Sequence, residues 1–292
     1  MANALSIVYL NGSFQNIRKA HISPLDRGFL FGDAVYEVIP VYDGKPLLLN
    51  EHLARLDHSL SEIRMLNPHT PQKWTSIINS LIEKNSGGNL GIYLQISRGT
   101  ELGRDHAFPQ VITPTVFGMA SRIEDANFQD TGVAAITLPD SRWARCDIKS
   151  TALLANILAR QQAADAGADD AILIRDGYVT EASVSSVIIV EGGVLVTRND
   201  GPELLPGTTR QLVLELATEA GLSCREEAVS EKRLRAADEL WLMSATHAVV
   251  PVTLLDGSIV GNGKPGPVWR RVKDLYNAYV DNAGFDTAKL EK

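Results

Sequence analysis

Short apolar runs that break at Asx-Gly or Gly-Gly pairs set the rhythm of the chain. Ile7-Val8-Tyr9-Leu10 runs into Asn11-Gly12, and Asp43-Gly44 separates Val38-Ile39-Pro40-Val41-Tyr42 from Leu47-Leu48-Leu49. Asp176-Gly177, Gly192-Gly193 and Asp256-Gly257 sit between similar β-rich runs. Glycine tolerates the positive φ of a tight hairpin turn, so each pair predicts two antiparallel strands. Elsewhere the apolar spacing lengthens to that of a helix. Leu53, Leu56 and Leu60 recur after Asn50, read as an N-cap, and Ser150 is read as the cap of a helix with Leu153, Leu154, Ile157 and Leu158 on one face. Leu212, Val213 and Leu216 continue the pattern to a stop at Gly221, and Val268, Val272, Leu275, Tyr276 and Tyr279 form a last amphipathic helix. Hairpins mixed with helices predict an α+β class, not a doubly wound sheet. A polar stretch separates the β-rich Val111–Phe117 from a strand at Val133–Leu138. It places an N-terminal domain at 1–120, a linker at 121–132 and a C-terminal domain at 133–292, and the joint between two domains is a common place for a small-molecule site.

Composition narrows the class. The 292 residues are 45% hydrophobic and 22% charged, which excludes a disordered or collagen-like chain. With 28 basic and 35 acidic residues the net charge is −7, which offers no footing for non-specific nucleic-acid binding. No apolar stretch approaches the ~18 residues needed to cross a bilayer, and Met-Ala-Asn-Ala does not begin a signal peptide. Cys146 and Cys224 fit a reducing compartment. The expectation is a cytoplasmic protein with neither nucleic-acid nor membrane partners and no metal site.

Several common signals are absent: a Gly-Lys-Ser/Thr phosphate loop, a Gly-x-Gly-x-x-Gly helix opening and a Gly-x-Ser-x-Gly elbow. His52 and His58 are six apart in a helical pattern, on different faces, and read as solvated histidines. Three segments remain. In Arg142–Ser150, Lys149 precedes the expected helix cap, where the dipole and burial would both drive off its proton, as Schiff-base chemistry needs. In Asp176–Ser183, Glu181 leads into the small-residue run Ala182–Ser186, which lets backbone approach a flat ligand. Leu204–Arg210 leads directly into a helix read from Gln211, and the free backbone N–H groups of such a helix start make an anion site. Taken singly, a surface lysine, a solvent-facing glutamate and a capped β-to-α turn fit these segments as well or better. Together they supply what pyridoxal 5'-phosphate requires: an amine for its aldehyde, an anion for its ring nitrogen and a helix start for its phosphate.

The motifs Asp26-Arg27-Gly28-x-x-Phe31-Gly32-Asp33-Ala34-Val35-Tyr36-Glu37, Asn50-Glu51-His52-Leu53-x-Arg55-Leu56, Arg98-Gly99-Thr100, Asp147-Ile148-Lys149-Ser150, Thr180-Glu181-Ala182-Ser183 and Gly207-Thr208-Thr209-Arg210 follow one another in register. In these the chain resembles the class IV aminotransferases, the two-domain fold-type IV pyridoxal-phosphate enzymes. The resemblance implies that Lys149 is the catalytic lysine that takes the cofactor aldehyde and that Glu181 pairs with the ring nitrogen. It implies that Arg55, Thr208, Thr209 and the Ser244-Ala245-Thr246 stretch hold the phosphate, with Ser185 also at the cofactor. Arg104 and His106, in Arg104-Asp105-His106-Ala107-Phe108-Pro109, with Tyr36, resemble the α-carboxylate trap of the family's D-amino acid aminotransferases. In those enzymes the Arg/His loop reaches in from the neighbouring subunit, so a homodimer is implied. Branched-chain aminotransferases, aminodeoxychorismate lyases and (R)-amine transaminases are the alternatives on the same scaffold, and the first two differ in this segment. A non-catalytic dimeric binding protein is the alternative from another class. Ser186 stands where the family usually has asparagine, Ala245 where a hydroxyl often stands, and the Glu101–Gly103 loop is one residue longer.

Overall fold

The computed structural model describes residues 4–123 and 131–282. Residues 124–130, the middle of the linker expected at 121–132, lie outside the described residues. The chain forms two compact units, Met1–Asp125 with Ile148–Leu153, and Ala126–Asp147 with Leu154–Lys292. The expected C-terminal domain of 133–292 therefore gives up six residues, and these carry Lys149.

The first unit contains β1 (Ile7–Leu10), β2 (Ser13–Asn16), α1 (Arg27–Phe31), β3 (Ala34–Tyr42), β4 (Lys45–Pro46), α2 (Leu49–Glu62), α3 (Pro71–Lys84), β5 (Leu90–Ser97) and β6 (Thr115–Arg122). Its strands pair antiparallel throughout, in the order β2-β1-β6-β5-β3-β4. Asn11-Gly12 and Asp43-Gly44 close their hairpins with positive φ at both residues, as the turn chemistry demands. Leu53, Leu56 and Leu60 of α2 and Trp74, Ile77, Ile78 and Leu81 of α3 cover the sheet residues Val35, Ile39, Ile92, Leu94 and Ile96. Each such side chain contributes roughly 1.5–3 kcal/mol by leaving water. Two sequence expectations need correction. Helix α2 starts at Leu49 behind Leu48 in a left-handed conformation, so Asn50 lies inside the helix and does not cap it. The strand expected at Val111–Phe117 begins at Thr115 and continues to Arg122, while Val111 is 81% exposed.

The Ile148–Leu153 segment lies along the flank of β3. Val35 and Ser150 form an antiparallel bridge, Tyr36 N donates to Lys149 O (2.9 Å), and Thr151 N donates to Ala34 O (3.0 Å).

The second unit contains β7 (Val133–Pro139), α4 (Leu154–Asp165), β8 (Asp170–Arg175), β9 (Tyr178–Ala182), β10 (Ser186–Glu191), β11 (Val194–Thr197), α5 (Thr208–Glu219), β12 (Cys224–Glu226), α6 (Glu231–Ala236), β13 (Glu239–Ser244), β14 (Ala248–Leu255), β15 (Ser258–Ile259) and α7 (Pro267–Asn282). Among the described residues these strands make a mixed sheet, β12-β11-β10-β13-β14-β7-β8-β9, with β15 also on β14. Its parallel pairs are β11/β12, β14/β7 and β7/β8. Helix α7 buries Trp269, Val272 and Tyr276, and it is anchored by Glu239, whose carboxylate accepts from Val268 N (2.9 Å), Trp269 N (2.8 Å) and Trp241 Nε1 (3.1 Å).

Helix α4 corrects another expectation. It starts at Leu154, Ser150 does not cap it, and Leu154, Ile157 and Leu158 are 70%, 61% and 54% exposed. Its buried face is Ala159 and Ala163, which pack on Ala171 and Leu173. Among the described residues no helix is long and apolar enough to cross a membrane.

Candidate active site

Strand β3 and helix α2 build the first group of functional side chains. Successive strand residues point to opposite faces, so Tyr36 and Glu37 part company. On α2, His52 and Arg55 are three residues apart and share a face, where both reach Glu37. Arg55 grips its carboxylate through Nε (2.7 Å to Oε1) and Nη2 (2.9 Å to Oε2), and His52 Nδ1 lies 2.9 Å from Oε2. Burial alone would raise the Glu37 carboxyl, but the Arg55 charge and its hydrogen bonds hold it well below the usual carboxylate range. Burial pushes His52 down, so the imidazole is neutral near pH 7, and it must carry its proton on Nδ1 because a carboxylate only accepts. His52 is fully buried, which corrects its reading as a solvated histidine; His58 is exposed as expected.

Lys149 joins this group. Its backbone N donates to Ser59 Oγ of α2 (3.2 Å), and its Nζ lies 4.4 Å from the centroid of the Tyr36 ring, which stacks on Tyr93. Its amine is brought down to about 7 by burial first and the Arg55 charge second, with Glu37 opposing. The helix dipole invoked from the sequence has no part in this, because α4 begins five residues further on at Leu154. The Tyr36 phenol moves the other way, raised by burial and by the Glu37 charge, so it stays protonated at neutral pH.

Arg104 and His106 gather at a different ring. The Arg104 guanidinium lies 5.0 Å from the Phe31 centroid and the His106 ring 5.1 Å from it, and both residues are exposed.

The second unit assembles the other expected residues. Glu181, buried near the end of β9, accepts from Arg142 Nη1 through Oε1 and from Leu205 N through Oε2 (3.2 Å). Arg142 is itself fixed by Asp140 (Nε and Nη2, each 2.9 Å), Thr180 Oγ1 (3.2 Å) and the Glu203 carbonyl (3.1 Å). Two residues beyond Leu205, Gly207 caps α5, with Thr208 and Thr209 buried in the first turn. A Cβ on Gly207 would fall 2.6 Å from Ser186 Oγ, so this helix start and Ser186 touch. Ser186 pairs in register with Met243, next to Ser244. The hydroxyls of Ser244 and Thr246 both meet His247 Nδ1 (3.2 and 3.3 Å), with Ala245 between them. Ser185 faces Asp170 (3.5 Å), which also binds the Ser183 hydroxyl.

Each unit thus carries a chemical half. One presents a near-neutral amine with an arginine and a phenol; the other presents a carboxylate braced by a guanidinium beside a hydroxyl-rimmed helix start. Residues of these groups that were not expected from the sequence include Glu37, His52, Arg142 and Ser186. Glu37 had a readable signal, a lone acid in the otherwise apolar strand Val35–Tyr42; Arg142 and Ser186 had none beyond their place in segments already singled out.

The profile of the family described as amino-transferase class IV matches residues 34–255. The chain belongs to the class IV aminotransferases. The D-alanine aminotransferase of Bacillus licheniformis is 40% identical to it over 283 residues, covering 97% of this chain and 99% of that protein. Among solved structures, the T.th. branched-chain amino acid aminotransferase with pyridoxamine 5'-phosphate superposes with a TM-score of 0.86 at 27% identity, over 94% of each chain. A fold IV transaminase from Curtobacterium pusillum does so with a TM-score of 0.79 at 28% identity, over 92% of each. This class IV aminotransferase therefore has the α+β architecture of fold type IV, and it is a pyridoxal-phosphate-dependent transaminase. Within each unit the donors suit part of that cofactor: in the first, an amine near neutrality suits its aldehyde; in the second, an arginine-braced carboxylate suits a ring nitrogen and a helix start with threonine hydroxyls suits a phosphate.

Proposed function

We propose that this class IV aminotransferase is a D-amino acid:2-oxo acid aminotransferase that acts as a homodimer in the cytoplasm. The observation that carries the chemistry is Lys149, an amine brought down to about 7 against the Tyr36 ring. The substrate class is supported by the Arg104-Asp105-His106 segment and by the 40% identity to a D-alanine aminotransferase.

Pyridoxal 5'-phosphate, bound through its aldehyde, supplies the electron sink that lets a Cα–H bond break. Lys149 Nζ takes the proton from the substrate Cα, and an amine near neutrality is well matched to both accept and return it. Glu181 holds the ring-nitrogen proton; its own charge is secured by Arg142, which leaves the carboxylate an acceptor. Thr208 and Thr209 would offer the phosphate the amides and dipole of α5, with Ser244 to Thr246 and the Arg55 cation as its further ligands. Ser185 braces the cofactor wall through Asp170. Arg104, His106 and Tyr36 take the α-carboxylate, and which face of Cα meets Lys149 follows from which side holds that carboxylate. Two amino-group transfers in opposite directions give ping-pong kinetics.

The test is the half-reaction, read from the absorbance of the bound cofactor as D-alanine, L-alanine or L-leucine is added. Bleaching by D-alanine alone is expected. Bleaching by an L-amino acid alone would overturn the substrate assignment in favour of a branched-chain-type enzyme, and multiple turnovers by Lys149→Ala would overturn the role of the lysine.

A further inference from the structure

The motifs Asp26–Glu37 and Arg98-Gly99-Thr100 mark the family, yet only Tyr36 and Glu37 belong to the group around Lys149. The fold directs the others to one loop. Between β5 and β6, residues 100–112 are largely exposed and have little regular structure. The neck of this loop is closed by a Gly99–Thr113 bridge, at which Gly99 has φ +88° and a Cβ would fall 1.9 Å from Thr113 O. Thr100 bridges Asp26, and Asp26 Oδ2 accepts from Ser97 Oγ (2.9 Å) and Thr115 Oγ1 (2.6 Å).

Beyond the neck a single guanidinium holds the backbone. Arg27 Nη1 donates to Asp105 O (2.6 Å) and Ala107 O (3.2 Å), and its Nη2 donates to His106 O (3.2 Å). Its Nε donates to Asp33 Oδ2 (2.9 Å), and the same carboxylate takes Arg98 Nε (2.8 Å) and Nη2 (3.0 Å). Arg98 in turn lies 3.7 Å from the centroid of Phe108. Arg27 and Arg98 are 4% and 1% exposed, in contrast to the loop they grip. Phe31, one turn along α1 from Arg27, carries Arg104 on its ring and His106 beside it. An exposed loop without a core samples many conformations unless it is tied. The planar fork of arginine, with donors in fixed directions, sets three consecutive carbonyls in one geometry, which a lysine ammonium cannot do.

We propose that Arg27, Asp33, Arg98 and Phe31 are positioning residues that fix Arg104 and His106 in the geometry that binds the substrate carboxylate, so that this buried cluster sets the enzyme's affinity for amino acid and oxo acid. This rests on the reading of Arg104 and His106 as carboxylate ligands. The experiment compares wild-type, Arg27→Lys and Phe31→Leu holoenzymes in two readouts: KM and kcat for D-alanine and its 2-oxo acid partner, and the rate of tryptic cleavage after Arg104. Arg27→Lys is expected to raise both KM values about 10- to 100-fold with kcat within about threefold of wild type. Cleavage after Arg104 should rise at least about tenfold. Phe31→Leu, which spares the guanidinium–carbonyl contacts, should raise KM with little change in cleavage. A merely structural role would lower the amount of active enzyme and leave KM alone. Wild-type KM in both variants, or unchanged cleavage in Arg27→Lys, would overturn the proposal. Should the wild type turn over no D-amino acid, the substrate reading falls, and the cleavage rate alone then decides whether Arg27 holds the loop.

Discussion

Replacing Arg55 with leucine removes the cation that, after burial, does most to drive the proton off Lys149. It also strips Glu37 of its bidentate partner, and a buried carboxylate left nearby favours the ammonium form. Both effects raise the lysine. In the wild type the fall from 10.5 to about 7 corresponds to about 5 kcal/mol, at ~1.36 kcal/mol per unit. At pH 7 about half of the Lys149 amine is then neutral, against roughly one part in 3,000 for an ordinary lysine, an advantage on the order of a thousandfold. Arg55→Leu should lift the midpoint by at least about one unit and cut the neutral fraction at pH 7 at least about fivefold. Arg55→Lys keeps the charge and should stay within about half a unit of wild type. The assay is competitive acetylation of the apoprotein from about pH 5 to 10, with the Lys149 peptide quantified against exposed lysines by mass spectrometry. Orphaning Glu37 costs about 3–5 kcal/mol, so circular dichroism must first establish that the leucine variant is folded. An Arg55→Leu midpoint equal to the wild type would refute the electrostatic account, and a wild-type midpoint near that of a solvated lysine would refute the pocket itself.

Glu181→Gln should slow the half-reaction by about a hundredfold, because an amide beside Arg142 cannot hold a proton on the ring nitrogen; stopped-flow rates matching wild type would remove Glu181 from that role. Gly207→Ala should weaken cofactor binding about tenfold, since its Cβ would sit 2.6 Å from Ser186 Oγ at an unstrained φ of −79°. Adding Ser186→Ala removes the 2.6 Å contact, leaving Arg210 Cβ at 3.3 Å and the residue-186 Cβ at 3.7 Å, and should restore much of the loss in a fluorescence titration; a double variant as weak as the single one would show that the contact is not the cause. Glu239→Ala orphans two backbone N–H groups at the start of α7 and the Trp241 indole N–H, and should cost about 3–6 kcal/mol in urea unfolding; a change under about 1 kcal/mol would contradict the anchoring described.

What can be read from the sequence follows from local chemistry. Asn11-Gly12, Asp43-Gly44, Asp176-Gly177, Gly192-Gly193 and Asp256-Gly257 all close hairpins, because the positive φ that such a turn needs is a property of the residues themselves. The helix after Leu204–Arg210 is legible too, although it opens at Thr208, three residues before the start expected at Gln211. Errors arise where tertiary placement decides. In α4, Leu154, Ile157 and Leu158 look like a core stripe, but the sheet accepts only the small Ala159 and Ala163. His52 looks like a surface residue because its partner, Glu37, lies 15 residues away in a strand. The low pKa of Lys149 is legible in part: burial, expected from the sequence, is its first cause, whereas the expected dipole has no part and the Arg55 charge comes from a residue 94 positions away (149 − 55). Arg27, Asp33 and Arg98 are visible as motif letters, but the loop they grip is not.

The placement of residues 149–151 along the flank of β3 matters before the enzyme is complete. One edge of β3 is paired with β5; on the other, among the described residues, β4 covers Val41 and Tyr42, and Lys149 to Thr151 cover the stretch from Ala34 to Tyr36. Ser150 is made 115 residues after Val35 (150 − 35). At ~5–20 residues per second, the nascent chain leaves that apolar edge unpaired for roughly 6–23 s, and an unpaired edge is a template for another chain. The short segment that carries Lys149 thus also closes an edge that would otherwise favour aggregation during synthesis. A substitution at Ser150 or Thr151 should register first as lost soluble yield, before any effect on turnover.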